Sequence, residues 1–146
     1  MTRQLPGEVI RIVAAVISDA EGRTLLVRKQ GTQAFMQPGG KLANGESPLG
    51  ALAREIEEEL GCRLDPDSCR SHGLFAAPAA NETGCMVVAE LFEARLDGSA
   101  SAQGEIEELI WVDPHSEPSL TLAPLTAMHA MPIARGWKSR VPSCER

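Results

Sequence analysis

The 146-residue chain has no tyrosine, only three phenylalanines and two tryptophans, and a shortage of positive charge: 14 Lys and Arg against 20 Asp and Glu, a formal net charge of −6. A general nucleic-acid binder needs a basic face to neutralise phosphates, so this balance argues against one; a small polyanion would need a cation as mediator. The four cysteines, Cys62, Cys69, Cys85 and Cys144, make no C-x-x-C pair and no Cys/His cluster at zinc-finger spacing, so reduced thiols are expected. Glu8 and Arg11 interrupt the N-terminal segment, leaving no apolar run of the kind a signal peptide or a spanning helix needs. This reads as a cytoplasmic protein with no membrane partner. Internal repeats, low-complexity tracts and linkers are also missing. With 43% hydrophobic and 23% charged residues, the chain suits one ordinary globular domain over 1–146, with a core that needs no disulfide or metal staple.

What is present is punctuated clearly. Val9 to Ile17 is β-branched and apolar, as a strand buried on both faces would be, and Arg23 to Lys29 follows a short turn, so a hairpin is expected. "GTQAFMQPGG" (31–40) reads as an irregular loop because Pro38 and two glycines oppose continuation of any element. Further strands are expected within "HGLFAAPA", "GCMVVAELFEARLDG" and "EIEELIWVD". A short helix is expected over "LAPLTAMHAM", ending before Pro132, and the tail from about 138 to 146 is expected to be loose.

The clearest helix follows Ser47. Leu49, Leu52, Ala53, Ile56 and Leu60 recur at helical spacing, with Ser47 as N-cap, Pro48 in the first turn and Gly61 just past the end. On the other side of the wheel Glu55, Glu58 and Glu59 share one arc, expected to face outward. A solvated face is the bland account of such glutamates. Against it, carboxylates at i, i+3 and i+4 repel one another, and the last two turns present the negative end of the helix dipole. A hard divalent cation with oxygen ligands removes both penalties, so the acidic helix end reads as a magnesium or manganese site.

The residues "GKLANGESPLGALAREIEEELGC", Gly40 to Cys62, are similar to the signature of the Nudix hydrolase superfamily: the glycines, Glu46, Arg54, Glu55, Ile56, Glu58 and Glu59 all fall in place, and only Cys62 departs, standing in an aliphatic position. The resemblance implies an α+β fold, a mixed β-sheet sandwiched between α-helices, with residues 40–62 forming loop, helix and loop. It implies hydrolysis of a nucleoside diphosphate linked to another moiety, by attack of water on a pyrophosphate phosphorus with Mg²⁺ or Mn²⁺ as cofactor. Glu55, Glu58 and Glu59, with the carbonyl of Gly39, are the implied metal ligands, and Glu46 with Arg54 the pair that anchors the loop to the helix. A homodimer is compatible with the family.

The general base is open on the residues alone. Glu58 or Glu59 could take the proton, or a glutamate of "QGEIEELIWV" could reach the site. In the branch acting on nucleoside triphosphates an acidic residue six positions before a tryptophan contributes to the metal site; Glu105 stands six before Trp111, and Glu108 is the weaker candidate, with solvated carboxylates the alternative for both. Glu107 reads as surface. Arg28 and Lys29 are candidates for substrate phosphates. Phe35 either packs on a base or closes the core, with core the better-supported reading, and Asn81 and Glu82 are either base or metal contacts or simple turn residues. "PGGKLANGE" resembles the MutT-type branch, which cleaves nucleoside triphosphates, oxidised ones included, to monophosphate and pyrophosphate. Pro78, sixteen residues after Cys62, resembles instead a feature of ADP-ribose pyrophosphatases, while the missing tyrosine argues against diadenosine polyphosphate hydrolases. A nucleotide-sensing domain of the same fold is the non-enzymatic alternative, disfavoured because every box glutamate is present. His72, His115 and His129 are scattered and receive no role.

Overall fold

The computed structural model describes residues 7–116 and 119–140. Along the chain the elements are β1 (Val9–Ile17), β2 (Thr24–Lys29), β3 (Phe35–Met36), β4 (Gly39–Lys41), α1 (Pro48–Leu60), β5 (Arg63–Leu64), β6 (Arg70–Pro78), β7 (Met86–Ala94), β8 (Leu96–Asp97), β9 (Ile106–Val112) and α2 (Met131–Arg140). A 3-10 turn at Pro66–Ser68 precedes β6, and a π-helical turn at Thr126–Ala130 leads into α2.

The apolar run of β1 is explained by cover on both faces. Val13, Ala15 and Ile17 enter a core with Leu52, Ile56 and Leu60 of α1. Ala14 and Val16 enter a second core with Leu125, Ala130 and Ala134 at the C-terminal helix. The strand lies inside a mixed sheet of order β4-β1-β7-β6, parallel to β7 and antiparallel to β4. A second sheet runs β3-β2-β9, and β5 pairs with β8. The result is the expected α+β arrangement of mixed sheet between helices.

Three expectations are corrected. β1 and β2 form no hairpin: both edges of β1 are taken by β4 and β7, so β2 turns away to pair with β3 and β9, and only a Ser18–Thr24 bridge links the two strands. The Asp19 carboxylate makes this reversal by accepting from the N–H groups of Glu21 and Arg23 at 3.0 and 2.8 Å. Residues 31–40 are not an irregular loop throughout, because β3 and the start of β4 lie within them; Pro38, which has no N–H to donate, still joins the sheet by accepting from Ala15 N at 3.0 Å. Nor does Pro132 end the last helix. The π-helical turn before it, where Met131 N–H donates to Thr126 O, widens the backbone ahead of the ring, and α2 continues to Arg140. Residues 138–140 are therefore helical; the rest of the expected loose tail, with Cys144, lies outside the described residues.

α1 begins and ends as its sequence implies. Ser47 Oγ accepts from Gly50 N at 3.0 Å, Pro48 occupies the first turn, and Gly61, at φ 67°, lets its N–H close on Glu57 O. Ser47→Ala should lower stability by about 1 kcal/mol, the usual worth of such a cap, measurable by denaturant unfolding. The buried face is narrower than the wheel suggests. Leu52, Ile56 and Leu60 are fully buried together with Ala51, whereas Leu49 and Ala53 are exposed. On the acidic side only Glu58 faces outward: Glu55 is half-buried and Glu59 is 7% exposed. Neighbouring backbone covers that flank, since Gly39 N reaches Glu59 Oε1 and Gln103 N reaches Glu59 O.

Candidate active site

The site is assembled where β4 meets the C-terminal half of α1. Gly39, at φ 155°, runs so close to β1 that a Cβ there would overlap the carbonyl of Val13, and a Cβ on Gly40 would overlap the carboxyl group of Glu55. Two glycines therefore let a strand and a row of carboxylates share one place. Glu46 and Arg54 fasten the intervening loop: Arg54 Nε and Nη2 donate to the two carboxylate oxygens of Glu46 at 2.7 and 2.9 Å, and Nη2 also reaches Lys41 O. This fork, with the N–H of Ala43 as a second donor, holds the Glu46 carboxyl down at about 2. Arg54 also donates to Glu55 at 3.0 Å and lies 3.6 Å from Glu58.

Glu59 is electrostatically the most demanding group. Its acid form is favoured chiefly by burial, which pushes its pKa up to about 8 against the opposing pull of the Gly39 N–H and of Lys29; the charges of Glu55 and Glu105 add to the rise. Glu55 is shifted upward too, again mainly by burial and against Arg54. Glu105 comes to this place because residues 101–104 cap α1. Ser101 N and Gln103 N donate to the carbonyls of Leu60 and Glu59 at 2.9 and 3.0 Å, groups a helix C-terminus leaves unpaired. The cap thus sets both the end of the helix and the position of the fourth carboxylate.

These groups open on a cleft of about 760 Å³. Glu55, Glu58, Glu59 and Glu105 line it together with Lys29 and Lys41. Part of the remaining wall is aliphatic, with Ile10, Ile12 and Ala14 of β1, Val87 of β7 and Leu125. Of the residues singled out in the sequence, Gly39, Lys29, Asn81, Glu82 and Pro78 also face it. Arg28 and Phe35 do not. Arg28 is held by Glu108 at 3.1 Å and by Thr32 O at 2.9 Å, its guanidinium 5.9 Å from the centre of the Phe35 ring. Phe35 is buried in the core with Leu26 and Met131, which is the core reading of that aromatic. Glu108 is spent on Arg28, and Glu107 is exposed. His72 meets Glu93 at 2.7 Å and His129 meets Ala76 O at 3.0 Å, both away from the cleft lining.

Lys29→Ala should therefore raise KM for an anionic substrate, while Arg28→Ala should leave KM unchanged and cost about 0–1 kcal/mol of stability, the range for a partly exposed ion pair. Sequence reasoning missed Lys41, Gln37 and Thr126, all on the cleft. Gln37 stands two residues before Gly39 and so could have been suspected; nothing in the sequence points to Thr126.

A hard cation matches this donor set: four carboxylates border one cleft, and one of them is buried at a site that favours its proton until positive charge arrives. Among the described residues no three acidic side chains converge on a single point in this arrangement, because Arg54 draws Glu55 and Glu58 toward itself and Glu59 accepts from Gly39.

An α+β frame in which a glycine pair seats an acidic helix at the mouth of a half-aliphatic cleft defines the class of protein. A family model described as NUDIX domain matches residues 9–130, and the chain belongs to that family. It is 40% identical over 58 residues to an 8-oxo-dGTP diphosphatase of Haemophilus influenzae, and 44% identical over 55 residues to an RNA pyrophosphohydrolase of Saccharophagus degradans. The matched segments make up 37% and 36% of this chain, and only 43% and 32% of those proteins' own lengths. Among solved structures, a MutT NUDIX hydrolase from Burkholderia pseudomallei superposes with a TM-score of 0.69 at 26% identity, covering 87% of this chain and 95% of that one. No helix among the described residues is long and apolar enough to cross a membrane.

Proposed function

We propose that the chain is a single-domain, cytoplasmic Nudix pyrophosphohydrolase that uses Mg²⁺ or Mn²⁺ to cleave a pyrophosphate bond of a nucleoside diphosphate derivative, with a nucleoside triphosphate as the preferred substrate and monophosphate plus pyrophosphate as products. The observation that carries this reading is the buried Glu59, raised to about 8 beside Glu55 and Glu105 on the lining of the cleft. A fold alone needs no such group, and it is costly unless a cation joins it. The likeness to an 8-oxo-dGTP diphosphatase supports the triphosphate as substrate.

The roles follow from position. Glu55, Glu58, Glu59 and Glu105, with the carbonyl of Gly39, would hold the metal; once bound, it screens the phosphoryl oxygens and lowers the pKa of a water. Glu46 and Arg54 act as positioning residues, because their fork fixes the loop before α1 and sets where Glu55 rests. Lys29 contributes positive charge facing the cleft, where phosphate oxygens gather. Glu58, exposed, and Glu105, on the facing loop, are the groups placed to accept a proton from attacking water; Glu59, whose acid form is favoured by burial, is the poorer acceptor. Asn81 and Glu82, which line the cleft, are the candidates to contact the group beyond the pyrophosphate.

A second reading is favoured by one feature. Pro78, Ala79 and Ala80 form a stretch of the cleft wall, which gives Pro78 a place against a substrate and suits ADP-ribose or another nucleotide sugar. Incubation with Mg²⁺ and a panel of canonical and oxidised nucleoside triphosphates, ADP-ribose, nucleotide sugars and dinucleotide polyphosphates, with products identified by mass, separates the two. Monophosphate plus pyrophosphate supports the first, AMP plus ribose phosphate the second. Nucleotide binding with no cleavage under either metal would make the domain a sensor.

A further inference from the structure

Charge is spread unevenly along the cleft. At one end, where Gly39 and Gly40 of β4 pair with Ala14 and Val13 of β1, lie the carboxylates of α1 and Glu105. Among the described residues both cations of the lining belong to this end: Lys29 acts on Glu55 and Glu59, and Lys41 follows Gly40 on β4. The other end is made by residues 78–82, which leave β6 at the far edge of the sheet and turn back into β7. Ala14 faces Gly39, whereas Val9 faces Met86, just after that turn. The two ends are thus offset by roughly 16 Å along β1, and sideways by up to three strand spacings of about 4.8 Å.

At the far end Glu82 is the one charged residue of the lining; Pro78, Ala79, Ala80 and Asn81 are neutral. Glu82 is half-buried and its backbone is tied down, since Cys85 N donates to Glu82 O at 3.1 Å and Ala79 N to Cys85 O at 2.9 Å. Ala79 spends its N–H in that bond and Pro78 has none, so neither can receive a phosphate oxygen. A cation held by α1 is also out of reach, because oxygen ligands lie within about 2.0–2.6 Å of such an ion. Metal at the first end therefore leaves the charge of Glu82 uncompensated. Repulsion acts through space, whichever rotamer the side chain takes.

We propose that Glu82 is a specificity-determining residue that selects mononucleotides over the 5′-triphosphorylated ends of RNA. This rests on the nucleotide hydrolase reading above and deepens it. With the reacting phosphates at the carboxylate end, the nucleoside points toward residues 78–82. A mononucleotide brings no further charge there, whereas an RNA end carries its first phosphodiester beyond the ribose, toward Glu82.

The test compares kcat/KM for two 5′-triphosphorylated diadenosine dinucleotides, one with the ordinary phosphodiester and one with a neutral methylphosphonate linkage, with ATP as the mononucleotide reference. In the wild type at low salt the neutral linkage is expected to be preferred about threefold to tenfold, the worth of one like-charge pair several ångströms apart in a wet cleft. The preference should shrink as KCl is raised, because exposed charges are screened. Glu82→Gln, which keeps the shape and removes the charge, should abolish the preference, and Glu82→Lys should reverse it. Circular dichroism melts screen for folding, and Glu82→Gln carries the result if Glu82→Lys unfolds. Equal turnover of the two dinucleotides by the wild type, however poor beside ATP, overturns the proposal, since size then excludes them; so does a preference that persists in Glu82→Gln. Both outcomes leave the hydrolase reading intact. If the wild type cleaves nothing, the hydrolase reading fails, and calorimetric affinities for the same dinucleotides decide: tighter binding of the neutral linkage, lost in Glu82→Gln, supports the repulsion, and equal affinities refute it.

Discussion

Glu59→Gln is expected to reduce turnover by about 10²–10³-fold, the scale seen when one charge-stabilising group is removed from a reacting centre, without unfolding the protein. The stability of the metal-free protein should move the other way at alkaline pH. Glu59 in the folded chain holds its proton up to about 8, against an ordinary glutamate value of 4.5. The folded state therefore binds the proton more tightly than the unfolded state, so the associated stability is complete below about 4.5 and is lost as pH climbs through about 8. Across that window the wild type loses roughly 1.4 kcal/mol per pH unit from this group alone. Glutamine keeps the shape and the neutral state but cannot ionise. Metal-free Glu59→Gln should thus melt above the wild type at pH 8–9 and lack the decline between about pH 4.5 and 8, and Mg²⁺ should raise the melting temperature of the wild type more than that of the variant. A variant that unfolds at neutral pH would show that the carboxyl group is structural.

The second large effect is on folding. Gly39→Ala places a Cβ against the Val13 carbonyl and the Ala14 backbone, at a φ of 155° that side chains avoid. Neither obstacle is a flexible side-chain end, so β4 must move off β1, and with it Gly40 and the seat of Glu55. The expected cost is roughly 3 kcal/mol or more, enough to lower the melting temperature by about 10 °C in a chain of this size. Gly45→Ala is the control. Gly45 also has a positive φ, 82°, but a Cβ there meets nothing within 4 Å, so only the conformational penalty of about 1–2 kcal/mol applies. The difference between the two, read by urea unfolding, isolates the close approach of the strands. Equal losses would mean that backbone conformation alone requires glycine at position 39.

The local signals in the sequence were strongest where one residue type has one physical use. Ser47, Pro48 and Gly61 mark the ends of α1 because a hydroxyl acceptor, a preset φ and a left-handed residue are needed there, and all three act so. The acidic face was legible as a cost without an evident return. Its direction was not: a wheel assigns Glu59 to the outside, but β4, folded back over the helix that follows it, and residues 101–104, some forty positions beyond the helix end, lie over that flank. The same limit explains the missing hairpin. β1 and β2 look like neighbours because they are adjacent in the chain, yet the partner that fills the edge of β1 is β7, more than sixty residues on. Arg28 looks like a substrate contact until its own partner is seen to be Glu108, whereas Phe35 takes the core place that the sequence already favoured for it. The buried bond between Thr126 and Gln37 was invisible altogether, since a π-helical turn brings the threonine to a glutamine 89 positions away.

The central claim is that the carboxylates on α1 and Glu105 serve metal-assisted attack of water on a phosphoric anhydride. Running the reaction in H₂¹⁸O, with Mg²⁺ and the best substrate of the panel, tests it most directly. The expected result is one ¹⁸O in a phosphoryl group of one of the two products, with turnover lost on chelation and in Glu59→Gln. Label found only on carbon, or undiminished turnover after chelation or in that variant, would contradict it.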